Sequence, residues 1–239
     1  MEDQKRHDLH MSGFGKSAGG KYGKVQLDGM GTIGGDLDCH DFIGNGNVSV
    51  KGSLTAGKVR IHGNGTIDGP VDAMEVHVGG AAKVKGALRS RTLAVMGRCN
   101  VLGQVTALKI EIGGSLKAAH VQGEKIETKG HFSVDGIMEA ETMDIHLLDR
   151  CEAQEIRGDF IKVRKKGSRF WEQLSISFRP MRLFVRFLNG GIVDVEHTEA
   201  EVISGNRVIL GPGCKVRVVE YREEFIQDPS AEVGEVRRI

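Results

Sequence analysis

The scarcities in this 239-residue chain narrow its class before any motif is read. Only four cysteines occur, Cys39, Cys99, Cys151 and Cys214, far apart and without a CxxC pair, so neither a zinc ribbon nor a disulfide framework is signalled and reduced thiols are expected. There are 4 prolines and 12 aromatic residues, too few prolines for a proline-rich linker. No apolar run approaches the ~18 residues of a membrane span, and no apolar stretch of signal-peptide type opens the chain. Neither export nor membrane spanning is therefore expected. With a net charge of +1, the chain is not a wholly basic nucleic-acid binder. Glycine is what it has in abundance, 34 residues with no collagen triplet, and this suggests turns recurring at fixed intervals.

The glycines first invite a nucleotide reading. Residues 13 to 24, GFGKSAGGKYGK, match the spacing of a phosphate-binding loop from Gly15 to Gly20-Lys21. Such a loop needs a strand before it, a helix after it, and Ser or Thr following the lysine to hold magnesium. Tyr22 occupies that last position, and KVQLDGMGTIGG downstream reads as strand and turn. The segment 1–24 is accordingly read as a flexible, glycine-rich lead-in, and no cofactor is expected.

A repeat is more informative. Gly35, Gly52, Gly69, Gly86 and Gly103 recur with a constant period of 17, and after a one-residue slip Ala119, Gly136 and Ala153 continue the series, giving eight copies. Seven residues past these positions runs an apolar column of Phe42, Val59, Val76, Leu93, Ile110, Ile126, Met143 and Phe160. A second, two residues before them, holds Ile33, Val50, Ile67, Val84, Val101 and Val134. Within each copy apolar and polar residues alternate, the period of two that turns one face of a strand inward. A chain that returns over itself at the ~4.8 Å strand spacing brings like residues into columns. The predicted fold is all-β: a parallel β-helix of 17-residue coils over residues 25–163, with the glycine column permitting unusual backbone angles at a corner. The left-handed kind built of hexapeptides has an 18-residue turn, which a repeat of 17 disfavours.

Catalytic and metal sites find no support in the columns. His40, His62, His77, His120, His131 and His146 share no repeat position, and Asp36, Asp38, Asp68 and Asp72 form no ladder along a groove. No catalytic or metal-ligating residue is assigned.

The repeat stops after Val163. From Lys162 to Arg186 eight basic residues face Glu172 alone, a local charge of +7, and five of the aromatics, Phe170, Trp171, Phe178, Phe184 and Phe187, lie there or immediately after. From Pro180, the residues Met181, Phe184, Val185 and Leu188 fit one face of a helix stopped by Asn189-Gly190, so residues 164–191 are read as a basic, amphipathic helical insert. Such a segment lies on an anionic membrane or folds back over the β-helix. The membrane-binding candidates are Arg164, Lys165, Lys166, Arg169, Phe170, Trp171, Arg179, Arg182, Phe184, Arg186 and Phe187. Strands are predicted to return over 192–225, and residues 226–239 read as a loose polar tail.

Units such as GNVSVKGSLTAGKVRIHGNGTIDGPV, together with the RFWEQL insert, the ISGNRVILGPGCKVRVVEY return and the REEF end, resemble the bactofilin family of polymer-forming cytoskeletal proteins, in its longer, two-part Gram-positive form. The resemblance implies a right-handed β-helix that assembles end to end into non-polar filaments without nucleotide. It also implies attachment to the inner face of the cell membrane, hence a cytoplasmic location, and scaffolding of client proteins. Co-assembly with a second bactofilin is a further implication, as is, for some longer members, a part in motility and flagellar assembly. The chain is thus expected to be a non-enzymatic self-assembling scaffold. The alternatives are a β-helical acyl- or sugar-transferase with the insert as a lid, or a monomeric protein-binding platform. Val25, Leu27, Phe160 and Phe225 are the candidates for contacts between copies, because the ends of a β-helix expose unpaired strand edges.

Overall fold

The computed structural model describes residues 6–165 and 181–239. Its regular structure is all β: β1 (Leu9–Met11), β2 (Phe14–Ser17), β3 (Gly20–Leu27), β4 (Met30–Ile33), β5 (Leu37–Gly44), β6 (Asn47–Val50), β7 (Leu54–Ile61), β8 (Asn64–Ile67), β9 (Val71–Val78), β10 (Ala81–Val84), β11 (Leu88–Val95), β12 (Arg98–Ile112), β13 (Ser115–Thr128), β14 (His131–Leu147), β15 (Cys151–Lys165), β16 (Leu183–Val195), β17 (Thr198–Leu210), β18 (Lys215–Gln227) and β19 (Glu232–Arg238). The chain divides into two compact units, one of residues 1–110 and 114–119, the other of residues 111–113 and 120–239.

The first unit is a parallel β-solenoid with a strict period. Val25 pairs with Phe42, Phe42 with Val59, Val59 with Val76 and Val76 with Leu93, each one repeat further along the chain. All five are at most 4% exposed. Short and long strands alternate, as β6 and β7 do, and both bury every second residue through much of their length. Each fully buried aliphatic side chain contributes roughly 1.5–3 kcal/mol, and the register stacks apolar residue on apolar residue from coil to coil. Outside, polar ladders follow the same register: Asn64 donates to Asn47 at 3.0 Å, and Asp68 sits between Lys51 at 3.4 Å and Lys85 at 2.8 Å.

Glycine works here by close approach. Apart from Gly13, Gly20 and Gly213, the described glycines avoid the left-handed region, so the unusual angles expected of the Gly35 series are not what selects it. A different column, Gly46, Gly63, Gly80, Gly97 and Gly114, has its α-carbons against the preceding coil, where a Cβ would overlap a backbone carbonyl oxygen of the glycine below. Hydrogen is the only side chain that lets the chain turn at that spacing.

The second unit is also a parallel solenoid, with longer strands and a variable period. β14 pairs with β15 across a register shift between Val134 and Ile137, so Met143 faces Ile161. β15, β16, β17, β18 and β19 then pair in succession, all parallel. The step from β15 to β16 is long, setting Leu183 on Cys151, because the chain between them includes the basic segment. The next step, which sets Thr198 on Leu183, is less than half as long.

Three expectations are corrected. Leu183–Val195 is a strand, so the helix predicted from Pro180 to Leu188 is absent over its described part. Leu183, Val185 and Leu188 are buried in register with Cys151, Ala153 and Ile156, and this stacking outweighs the helical spacing of Met181, Phe184, Val185 and Leu188. The strands of the return therefore begin at 183, earlier than 192, and residues 166–180 lie outside the described residues. The segment 1–24, expected to be flexible, contributes β1, β2 and the first five residues of β3, because Leu9 and Met11 extend the inward columns beyond Val25 and Leu27. The end of the chain, expected to be loose, forms β19, paired with β18 from Lys215–Glu232 to Tyr221–Arg238.

Candidate assembly edges and the flanks of the basic segment

In the first unit the outermost strands are β1 and β2. Among the described residues β1 pairs with β3 alone and β2 with β4 alone, leaving one side of each without a strand. Leu9 and Met11 point inward yet stay partly exposed, since no further coil covers them. Phe14, 86% exposed, projects from β2 in register with the half-exposed Met30. Below this edge Asp28 is held by His10 at 2.6 Å, Gln26 at 2.8 Å and Asn45 at 2.6 Å, and these hydrogen bonds, His10 foremost, lower its pKa.

In the second unit the outermost strand is β19, and it stops short. It covers β18 as far as Tyr221, while Phe225, Ile226 and Gln227 pair with Val208, Ile209 and Leu210 on one side only. Phe225 ends an inward column of Met143, Ile161, Val193 and Val208 and stacks on Tyr221, with ring centroids 5.7 Å apart. Val236, paired with Val219, and Ile239, whose backbone donates to the Tyr221 carbonyl at 2.9 Å, are exposed on the outermost strand and just past it. The interior of each unit is thus open at a strand edge, which is the feature that recruits another β-strand.

Of the four residues proposed for contacts between copies, Phe225 alone lies at such an edge. Val25 and Leu27 are fully buried, with β1 on one side and β5 on the other. Phe160 pairs with Thr142 and Ile192 inside the stack and is 39% exposed on its flank. Because the register slips within β14, Ile161 takes the inward column position that the sequence repeat assigns to Phe160.

The basic segment is described only at its flanks. Arg164 makes ion pairs with Asp194 and, at 3.3 Å, with Glu196. The backbone of Lys165 donates to Glu196 at 3.2 Å. Arg182 meets Glu199 at 3.5 Å and Arg186 meets Glu201 at 3.0 Å. Phe184 lies 4.3 Å beneath the guanidinium of Arg150, and Arg186 stands 5.4 Å from the ring of Phe187. These residues therefore lie along β15 and at the start of β16, with Arg164, Arg182 and Arg186 paired with acids of neighbouring coils, and they do not form one amphipathic face. Lys166, Arg169, Phe170, Trp171 and Arg179 fall outside the described residues.

Sequence reasoning missed the edge residues Leu9, Phe14, Val236 and Ile239. A spacing signal for the second unit was present: Cys151, Ala153, Ile156, Ile161 and Val163 recur, at the same intervals, as Leu183, Val185, Leu188, Val193 and Val195, then as Thr198, Ala200, Ile203, Val208 and Leu210. The cysteines are inward residues of this kind. Burial pushes the thiols of Cys39, Cys99 and Cys151 up to about 12, which suits packing and not nucleophilic chemistry. Among the described residues no group of three or more His, Cys, Asp or Glu is placed to hold a metal ion, and no helix is long and apolar enough to cross a membrane.

The class defined by fold and edges is a parallel β-solenoid with open strand edges. The chain is 47% identical over 228 residues to the uncharacterized protein YhbE of Bacillus subtilis (strain 168), covering 94% of this chain and 95% of that one, and it belongs to the YhbE family. It is also 33% identical over 91 residues to the uncharacterized protein YhbF of the same organism, 38% of this chain and 36% of that one. No family model matches the chain. No solved structure matches it either.

Proposed function

We propose that this chain is a non-enzymatic structural protein of bactofilin type, a right-handed β-solenoid that self-assembles without nucleotide into cytoskeletal filaments and scaffolds other proteins at the inner face of the cell membrane. The observation that carries this reading is the pair of uncovered strand edges, β1 with β2 and β18 with β19, each opening onto an apolar interior. Monomeric proteins blunt such edges with charge, proline, bulges or a covering element, whereas an edge that shows an open core is stabilised by another copy. The general right-handedness of crossovers between parallel strands supports the hand. Client proteins, a second bactofilin partner and a part in motility rest on the resemblance.

Membrane attachment is carried by the sequence between Lys165 and Pro180, where Lys166, Arg169 and Arg179 stand among Phe170, Trp171 and Phe178. Arg164, Arg182 and Arg186 are engaged by carboxylates and contribute less. Negative-stain electron microscopy of the purified chain without nucleotide tests assembly: filaments are expected, and compact monomers at every concentration would replace this reading with a binding platform. Its docking face would then be the groove of about 500 Å³ in the second unit, lined by Phe184, Arg186, Glu199 and Arg217 among others. Cosedimentation with anionic vesicles tests attachment, with binding expected for the wild type and loss expected when Lys166, Arg169 and Arg179 are changed to Glu.

A further inference from the structure

The outermost coil of the first unit, residues 6–19, is thinner than the coil beneath it. Its inward positions hold Leu9, Met11, Gly15 and Ser17, in register with Val25, Leu27, Gly31 and Ile33. Leu9 and Met11 are its large apolar contributions to the interior, and both stay part-exposed. Gly15 adds no side chain, and Ser17 sets a hydroxyl on Ile33. The coil is also short: β1 pairs with β3 at three positions, whereas β3 pairs with β5 at seven.

Besides backbone bonds to β3 and β4, three side-chain ties on the outside hold this coil. Arg6 donates to both carboxylate oxygens of Asp38, at 2.8 and 3.3 Å. Asp8 accepts from the backbone amide of Lys24 at 2.7 Å, and His10 meets Asp28 at 2.6 Å. The side chains of both ion pairs are in contact with solvent, and such pairs hold weakly against water. Directly beneath lie Val25, Leu27 and Ile33, each 0% exposed, on the eight-residue β3 and on β4. A long edge over an open apolar interior recruits another strand, and a short, charge-bearing strand laid on it blunts that tendency.

We infer that residues 6–19 are an autoinhibitory cover: they occupy the place on β3 and β4 that a strand of a second copy would take, and their release governs joining at that end. This rests on the self-assembly reading and adds a control to it. With the cover in place the end offers the short edge of β1 and β2. With it released the end offers all of β3, and Val25 and Leu27, which the sequence put forward for contacts between copies, become contact residues. A joining-competent state that is populated as a small fraction lowers the apparent affinity by that fraction, so whatever shifts the cover shifts assembly in proportion.

The test locks and loosens the cover in the full-length chain. His10 and Gln26 face one another in register on β1 and β3, and the strand spacing of about 4.8 Å suits a disulfide between His10→Cys and Gln26→Cys. The four native cysteines are buried and do not compete for the new bond. Both substitutions also remove bonds to Asp28, so the comparison is between the oxidised and reduced forms of the one variant. Sedimentation and electron microscopy without nucleotide should show the oxidised form assembling about tenfold less readily than the reduced form, with recovery on adding reductant. Arg6→Ala with Asp8→Ala should assemble about tenfold more readily than the wild type. In that variant the β1 amides should exchange faster with solvent, while those of β5 stay protected. Equal assembly of the oxidised and reduced forms, or a loosened variant that assembles no better than the wild type, overturns the cover and leaves self-assembly in place. If the wild type, the reduced form and the loosened variant all stay monomeric, self-assembly is overturned and the cover with it.

Discussion

The two units reach the same kind of solenoid by different local means. In the first, coils keep one constant period and turn where the Gly46 to Gly114 column presses on the carbonyls below. In the second, the coil lengthens after the insert from the short step between Leu183 and Thr198 to the longer one between Lys215 and Glu232. Long strands run through its corners, and registers slip at Val134/Ile137 and Gly205/Arg207. The inward columns persist in both. Burial of Val, Ile and Leu thus dictates the stacking, while corner chemistry dictates how regular the coil must be.

Core substitutions should break this comparison most severely. Ile161→Ala is expected to cost about 3 kcal/mol in a urea or thermal melt, and Phe160→Ala about 1, although a strict repeat would place Phe160 inward. Equal losses would refute the slip in register.

Next in size is the glycine corner. Gly63→Ala should destabilise by about 2 kcal/mol, since the new methyl meets a backbone oxygen that cannot yield without moving a coil. Gly35→Ala, whose nearest neighbour would stand 3.7 Å from the methyl, should fall within about 0.5 kcal/mol of the wild type. Similar melts for the two variants would show that close approach does not set the corner.

Acid should act on the ladders of the first unit. Hydrogen bonding from Lys85, and then from Lys51, lowers the pKa of Asp68, and bonds from the Ser53 backbone and hydroxyl lower that of Asp36. A depressed carboxylate contributes stability that is complete above its unfolded value, about 4, and is lost as pH falls through the folded value. Urea midpoints should therefore decline below about pH 4, and Asp68→Asn should flatten part of that decline. An unchanged slope would mean the ladder carries no linkage.

A modest loss of stability is expected at the flank of the basic segment. Arg164→Ala should cost about 1 kcal/mol, because its pairs with Asp194 and Glu196 are only partly shielded from water. In the same protein, thiol labelling at about pH 8 should be negligible until urea exposes Cys39, Cys99 and Cys151, whose pKa values sit at about 12. Rapid labelling of the native chain would contradict their burial.

Most of the first unit is legible in its residues. A period of 17 combined with an alternation of two leaves few arrangements besides stacked parallel strands, and both numbers are local properties of the chain. The second unit is less legible because its offsets change from coil to coil, so no single period reveals them. The span from Pro180 to Leu188 shows why: apolar residues at 181, 184, 185 and 188 suit a helix, and those at 183, 185 and 188 suit a strand with an irregular corner.

The sequence by itself determined an all-β solenoid, its inward columns and the place where the repeat halts, because those follow from the spacing of apolar side chains along one chain. Only the tertiary structure decided that Phe160 faces outward and Ile161 inward, that the first residues and the last form strands, and which edges lack a neighbour. Those features depend on register between coils, which is fixed by packing and backbone hydrogen bonds between residues far apart in the chain, Cys151 and Leu183 among them.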